Sequence, residues 1–190
     1  MLEEFSDICG YTDKEVDLYF KEHIEQWANF RKVPYAQIRK NLTLCYNGYC
    51  FKENCAKIYS PFSLTCALDI NEFYNFWFES ATPQVLLEKL NKEKRKNEYK
   101  ILDLDQLEGT RDLLQTFEIE TLPLPALLFQ MGYLTIESYD PLTRNYQLKY
   151  PNLEVRASFQ RHLIALLSEP PSPAPIITIR FCILLTYLII

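Results

Sequence analysis

Apolar residues recur with helical spacing from Thr12 onward. The stretch TDKEVDLYFKEHIEQWANF places Thr12 and Glu15 at the spacing of a capping box, in which each side chain bonds the other's free backbone amide. The apolar positions that follow at steps of three and four are Val16, Tyr19, Phe20, Ile24 and Trp27. This spacing predicts one helix that packs its apolar stripe on a core. The positions left to water are Asp17, Lys21, Glu22, Glu25 and Gln26.

A second helix is predicted after Pro34, through YAQIRKNLTLCY, with Ile38, Leu42 and Cys45 on one side. Two short aromatic-rich runs follow, YNGYCF and AKIYSPF, and both look like strands. The Asn47-Gly48 pair predicts a tight hairpin turn, because both residue types tolerate positive φ. Helices are expected again over residues 63–73 and 83–95. The apolar positions of the later one are Val85, Leu86, Leu87 and Leu90.

The second half of the chain predicts a helix from about Leu124 to Met131, closed by Gly132. The stretch TIESYDPLTRNYQLKYP alternates apolar and polar residues around a turn, which indicates a β-hairpin. A final helix is predicted from Pro151 to Leu167. Its apolar stripe is Val155, Phe159, Leu163 and Leu166. Helix, hairpin and helix in this order resemble part of a winged-helix arrangement.

These elements predict a mainly α fold with short β-hairpins, in the α+β class. The basic run NKEKRKNEYK, residues 91–100, is interpreted as a solvated helix end or linker. We therefore expect one subdomain over residues 1–90, a second over 91–167 and an atypical tail over 168–190. The alternative for the basic run is contact with phosphate groups. That contact would use Lys92, Lys94, Arg95, Lys96 and Lys100.

Charge and composition narrow the function classes. The net charge of the 190 residues is −5, so no overall positive field favours nucleic acid. The N-terminus is acidic where a secretory signal would be basic, and a cytoplasmic location is expected. The tail is rich in proline and then apolar but is interrupted by Arg180. It is either a membrane anchor or the product of a degenerate or frameshifted gene end.

Three cysteines, Cys45, Cys50 and Cys55, are spaced five residues apart. Structural zinc sites pair cysteines more closely and add a second pair or histidines. Few cysteines and a reducing compartment argue against disulfides, so all six are expected to be thiols that pack as small hydrophobic residues. On this interpretation Gly48→Val should cost about 1 to 3 kcal/mol. Cys50→Ser and Cys55→Ser should cost far less.

Other candidates for chemistry are few. The two histidines, His23 and His162, lie on charged helical stretches that look solvent-facing. Only four glycines are present, and no glycine-rich phosphate loop can be built from them. Asp103, Asp105 and Glu108 form a dense acidic cluster, but the Glu-x-Lys of a metal-dependent nuclease does not follow it. We expect no catalytic, cofactor or metal site, and hence no enzyme.

Six motifs occur in an order that makes the sequence recognisable: DICGYT, YNGYCF, KIYSPFSL, NFWFESATP, LLFQMGYLTIESYDP and YPNLEVRASF. Together, over about residues 5 to 165, they resemble AAA-ATPase-like proteins that carry a C-terminal PD-(D/E)XK nuclease-superfamily domain. The family's aromatic turn motif matches Tyr46, Asn47, Gly48, Tyr49 and Phe51. Cys45 and Cys50 fall where the family usually has other residue types.

The resemblance implies that this chain corresponds to a helical AAA lid-like subdomain followed by a winged-helix-like connecting subdomain. No ATPase or nuclease motif of the family lies within the matching part. The expected function is therefore a non-catalytic fragment of such a protein, from a truncated or degenerate gene copy. The alternative is a nucleic-acid-binding or protein-binding module that docks on a separate ATPase core.

Overall fold

The structure is a computed structural model that describes residues 9–53, 55–76, 86–90, 92, 107–110 and 122–167. The fold is mixed α and β, with helices around a small three-stranded antiparallel sheet. The first helices are α1 Asp13–Tyr19, α2 Lys21–Arg31, α3 Tyr35–Tyr46 and α4 Pro61–Ile70. Residues 86–90 and 92 are also helical. The remaining elements are β1 Leu107–Thr110, α5 Leu124–Gln130, β2 Thr135–Asp140, β3 Asn145–Lys149 and α6 Leu153–Leu167.

The capping box predicted at the start of α1 is confirmed. The Thr12 backbone N–H donates to Glu15 Oε2 at 2.8 Å, and Glu15 N–H donates to Thr12 Oγ1 at 3.3 Å. The single long helix predicted after it is wrong, because Phe20 (φ −114°, ψ 7°) leaves helical geometry and separates α1 from α2. Val16, Ile24 and Trp27 are buried as expected, but Tyr19 is 61% exposed. The break turns this residue away from the core.

Helix α2 ends at a non-glycine residue in the left-handed region, Lys32, with φ 56°. The Lys32 N–H donates to Asn29 O at 3.2 Å, and the Val33 N–H donates to Ala28 O at 3.0 Å. This bond pair is a Schellman motif, in which glycine usually occupies the left-handed position. Helix α5 ends in the same motif with Gly132 at φ 77°, the cap that the sequence predicts.

Lys32→Gly should therefore stabilise the protein by about 1 kcal/mol, because glycine adopts the left-handed conformation without a Cβ penalty. Chemical denaturation of the wild type and the variant measures the change. Lys40→Gly, at an exposed position inside α3, is the matched control and should destabilise by about 1 kcal/mol. Destabilisation by both substitutions would contradict the role assigned to Lys32.

Helix α3 matches its prediction, with Ile38 and Leu42 buried. Helix α4 begins and ends earlier than the predicted 63–73. Ser60 Oγ accepts the Ser63 N–H at 3.4 Å, and Pro61 occupies the first turn. Asn71 in the left-handed region (φ 55°) then ends the helix. Pro61, within a run predicted to be a strand, thus lies at the start of a helix, where its missing N–H has no cost.

The hairpin turn predicted at Asn47-Gly48 is wrong. Asn47 is the C-terminal cap of α3, and Gly48 (φ 117°) turns the chain away from that helix. The two predicted strands are reduced to isolated bridges: Tyr49 pairs with Ile58 through N–H···O bonds of 3.0 and 3.2 Å, and Tyr59 pairs with Tyr11. We call residues 49–58 the cysteine hairpin; residue 54 lies outside the described part.

The sheet has the order β1-β3-β2, and both pairs are antiparallel. The hairpin predicted between β2 and β3 is confirmed. Asp140 fixes its turn by accepting the Leu142 N–H at 2.9 Å and the Thr143 hydroxyl at 2.8 Å. Leu142, at the tip, is 92% exposed.

Two clusters of buried side chains form the interior. The first joins α1 to α4 and includes Trp27, Tyr46 and Tyr59. The second joins residues 86–90, α5, the sheet and α6, and it also includes Tyr49, Cys50 and Ile58. The chain therefore contributes Tyr46 to the first cluster, then packs the cysteine hairpin into the second cluster, and contributes to the first cluster again at Tyr59. The subdomain boundary at residues 91–100 stays a prediction, since only residue 92 of that run lies in the described part.

Candidate functional site

The cysteine hairpin is held to the sheet by the backbone of Cys50. Its N–H donates to Thr135 Oγ1 at 2.6 Å, and the Thr135 hydroxyl donates back to Cys50 O at 2.9 Å. The same carbonyl accepts the Ile136 N–H at 3.1 Å. Farther along the hairpin, Glu53 accepts the Tyr146 hydroxyl at 2.7 Å. The hairpin thus bonds to β2 and β3, about ninety residues away in sequence, and three of these four bonds involve the backbone of Cys50.

Thr135→Val should destabilise the protein by about 2 kcal/mol, because the valine keeps the shape but leaves the buried N–H of Cys50 without its acceptor. Thr135 is fully buried, so water cannot replace the lost hydroxyl. Urea denaturation measures the loss. The control is Thr65→Val, whose exposed hydroxyl bonds Pro61 O at 2.8 Å, and its cost should stay below about 0.5 kcal/mol. Equal losses in the two variants would rule out a special role for Thr135.

In the described part of the chain two cysteines are paired, which corrects the expectation that all six are thiols. Cys50 and Cys55 form a disulfide across the hairpin, with Cα atoms 5.8 Å apart, within the usual range for such a bond. The expectation rested on the number of cysteines and on the redox compartment, and neither of these shows whether the fold brings two particular cysteines within bonding distance. In the described part, the free cysteines are Cys9, Cys45 and Cys66.

A second polar cluster surrounds Arg39 of α3. Arg39 Nε donates to Asp17 at 2.6 Å, and Nη2 donates to Asp13 at 2.7 Å. Its Nη1 donates to Thr43 Oγ1 at 2.8 Å and to the hydroxyl of Tyr59. That hydroxyl donates to Asp13 Oδ1 at 2.8 Å. The Arg39 side chain is only 15% exposed, whereas the two carboxylates are more than half exposed.

The electrostatics of this cluster follow from its contacts. Burial opposes the charge of Arg39, but hydrogen bonds to Asp17 and Asp13 outweigh it and raise the pKa of the guanidinium. Burial would raise the pKa of Asp13, but hydrogen bonds from Arg39 and Tyr59 lower it overall. The Arg39 side chain therefore keeps its charge and has partners on all three nitrogens. It joins α1 to α3 and to Tyr59, the residue just after the cysteine hairpin. It therefore does not offer a free cation to a ligand.

The sequence gives no sign of the Arg39 cluster. Asp13 and Asp17 are one helical turn apart and could have been noted as a pair. Arg39 and Tyr59, however, join them only through the packing of α3 and the chain after the hairpin. Thr135 was missed for the same reason, because its partner Cys50 is 85 positions away.

The predicted phosphate-contacting residues are mostly outside the described part. Lys92 is exposed at a helical position, while Lys94, Arg95, Lys96 and Lys100 lie outside it. Contact between this basic run and phosphate groups therefore stays a prediction.

The structure also gives the positions of Glu108, from the predicted acidic cluster, and of the two histidines. Glu108 of β1 accepts from Gln147 at 2.8 Å and Asn145 at 3.2 Å, so it serves cross-strand pairing. Asp103 and Asp105 lie outside the described residues. His23 is exposed and contacts Phe20 with ring centroids 6.2 Å apart. His162 lies on α6. Within the described part, no group of three His, Cys, Asp or Glu side chains is arranged to hold a metal ion.

The tail over residues 168–190 and its Arg180 lie outside the described part. Across the residues that are described, no helix is both long and apolar enough to cross a membrane.

Comparison with known proteins gives one distant relative. The chain is similar to a protein of Azotobacter chroococcum mcd 1 described as an uncharacterized protein in the vnfD 5' region, with 33% identity over 174 residues. The match covers 90% of this chain but only 30% of the relative. This chain thus spans less than a third of the relative's length. No family model matches the chain, and no solved structure matches it.

Proposed function

We propose that the chain is a non-catalytic docking module of an AAA-ATPase-like protein with a C-terminal PD-(D/E)XK nuclease-superfamily domain. Its N-terminal helices would form the lid-like part, and the sheet with α5 and α6 would form the winged-helix-like connecting part. The observation that supports this most is the sheet order β1-β3-β2, with α5 between β1 and β2 and α6 after β3. A helix, a wing-like hairpin and a further helix on a three-stranded sheet are the parts that a winged helix needs.

The relative supports the idea of a module within a larger protein. Its sequence resembles nearly all of this chain, yet more than two thirds of its length lies outside the match. An ATPase core and a nuclease-like domain would occupy that remaining length. The polar side chains of this chain support a structural role for the module, since Arg39 and Glu108 form hydrogen bonds with neighbouring elements of the same fold.

The proposed partner is an ATPase core, bound through exposed apolar side chains of the N-terminal helices. Phe30 of α2 is 73% exposed and Phe62 of α4 is 60% exposed. Phenylalanine side chains with this much exposed area are available for contact with a partner protein, in which aromatic residues are favoured. The docking model therefore predicts that Phe30 of α2 and Phe62 of α4 contact the ATPase core.

Binding between this chain and the remainder of the relative's chain, purified separately, tests the docking model. Sedimentation velocity at micromolar concentration should show a complex that the double variant Phe30→Glu, Phe62→Glu weakens at least about tenfold. Leu142→Glu, at the exposed tip between β2 and β3, is the matched control and should bind like the wild type. No complex, or equal loss in both variants, would refute docking through these helices.

The non-catalytic part of the proposal has a separate test. The purified chain should hydrolyse neither ATP nor DNA above a buffer blank, with Mg²⁺ present. Hydrolysis that disappears on substitution of a residue in this chain, for example Glu108→Gln, would show that the chain is an enzyme after all.

A nucleic-acid module is the second candidate, supported by the exposed Lys92 and by the wing-like turn with exposed Arg144. The buried position of α5 weighs against it, since residues 124–128 of this helix face the core and cannot enter a DNA groove. A gel-shift assay with duplex DNA at low salt decides the matter. Binding that Lys92→Ala or Arg144→Ala weakens would favour this candidate, and no shift at micromolar protein would end it.

A further inference from the structure

The disulfide between Cys50 and Cys55 closes the loop that the cysteine hairpin presents to the sheet. Cys50 is 6% exposed and belongs to the second buried cluster. Cys55 is only partly buried and packs at the edge of that cluster. Cys50 is therefore anchored in the interior, while Cys55 is partly exposed to solvent.

The same loop is where the hairpin bonds to the sheet. The Cys50 backbone bonds Thr135 and Ile136, and Glu53, inside the closed loop, accepts the Tyr146 hydroxyl. A change in the order of the loop is thus transmitted directly to β2 and β3. Opening the S–S bond increases the number of conformations available to the loop and weakens each of these contacts.

The surroundings also accommodate the reduced form. Cys50 Sγ lies 3.1 Å from Lys52 O, which accepts a hydrogen bond from a thiol at that position. Reduction therefore leaves the buried sulfur with a hydrogen-bond partner.

We propose that Cys50 and Cys55 form a reversible thiol-disulfide site that sets how firmly the cysteine hairpin holds to the sheet. The reductant is a small thiol such as glutathione. Its thiolate attacks Cys55 Sγ, breaks the Cys50–Cys55 bond and forms a mixed disulfide, and the released Cys50 thiolate takes a proton. A second glutathione then attacks the mixed disulfide. In total two electrons and two protons pass to the protein, and glutathione disulfide leaves.

The neighbouring Cys45 provides a contrast within the same segment. Burial first, and the charge of Glu154 second, raise the pKa of its thiol to about 12, so it holds almost no thiolate at neutral pH. Cys45→Ala is therefore the control that removes a nearby sulfur without touching the site.

Peptide mapping after equilibration in glutathione buffers tests the pairing. Trypsin cleaves after Lys40, Lys52 and Lys57, so Cys50 and Cys55 fall on different peptides that only the disulfide joins. The joined pair should be nearly complete in the most oxidising buffer and nearly absent in the most reducing one, and it should return when the buffer is reversed. Cys45→Ala should show the same titration. No joined pair in any buffer, or a pair that glutathione never opens, would overturn the proposal.

Amide hydrogen exchange of the wild type in the two end buffers tests the structural consequence. After reduction the amides of Cys50 and Ile136 should exchange at least about tenfold faster, and this acceleration should exceed that of Ile24 in the first cluster. The melting temperature should fall by about 5 °C. Cys55→Ser should behave as the reduced form in both buffers. Equal exchange at Cys50 and Ile136 in both buffers would show that the bond does not control the hairpin.

Discussion

Replacing Gly48 with alanine should destabilise the protein by about 3 kcal/mol or more. The backbone of Gly48 has φ 117°, a conformation that residues with a Cβ rarely adopt. A Cβ at this position would also lie 1.9 Å from the carbonyl oxygen of Pro151. Because that atom belongs to the backbone before α6, a rotamer change cannot relieve the clash.

Urea denaturation of Gly48→Ala against the wild type measures this loss. Leu142→Ala, at a side chain that is 92% exposed, is the control and should change stability by less than about 0.5 kcal/mol. A loss below about 1 kcal/mol for Gly48→Ala would mean that the chain after α3 does not approach Pro151 as described.

The expected cost of the cysteine variants rises, although it stays below that of Gly48→Ala. From the sequence, Cys50→Ser and Cys55→Ser are expected to cost far less than a substitution at Gly48, but each removes the disulfide. Under oxidising conditions each should cost about 2 kcal/mol, from the conformational entropy that the opened loop gains in the unfolded chain. With a reductant present, Cys55→Ser should match the wild type.

Arg39→Leu should destabilise the protein by about 2 kcal/mol, the second large effect, because it removes a mostly buried guanidinium that joins α1, α3 and Tyr59. The leucine fills similar space but leaves Thr43 and Tyr59 without their charged donor. Arg39→Lys should recover only part of the loss, since one ammonium cannot reach both carboxylates in the same geometry. Arg31→Leu is the matched control. Arg31 is 45% exposed and its bond to Glu72 is 3.5 Å long, so its loss should stay below about 0.5 kcal/mol.

The same cluster predicts a dependence of stability on pH. The pKa of Asp13 in the folded protein lies below its ordinary value of 3.8. The stabilisation is therefore complete above about pH 4 and is lost as the pH falls through the lower folded value. Asp13→Asn should remove this part of the acid sensitivity, and denaturation curves between pH 5 and about pH 2 measure it. An unchanged acid profile in the variant would show that Asp13 carries no such coupling.

The sequence determined the local elements that depend on residues close to one another along the chain. The Thr12–Glu15 capping box, α3 after Pro34, the Gly132 cap and the hairpin between β2 and β3 all follow from neighbouring residues, and all are present. The hydrogen bonds of the caps and of α3 span three to five positions, and those of the hairpin extend outward from its turn to the Thr135–Lys149 pair. A reader of the sequence can therefore find both partners in the same window.

Tertiary structure decided the features whose partners are distant in sequence. Asn47-Gly48 is the pair most typical of a tight turn, yet packing of the following residues on β2 and α6 makes it the end of a helix. The pairing of Cys50 with Cys55 depends on how the chain after Gly48 packs. The contacts of Arg39 with Asp13 and Tyr59 also depend on this packing. A short stretch has several local conformations of similar energy, and contacts made across dozens of residues select one of them.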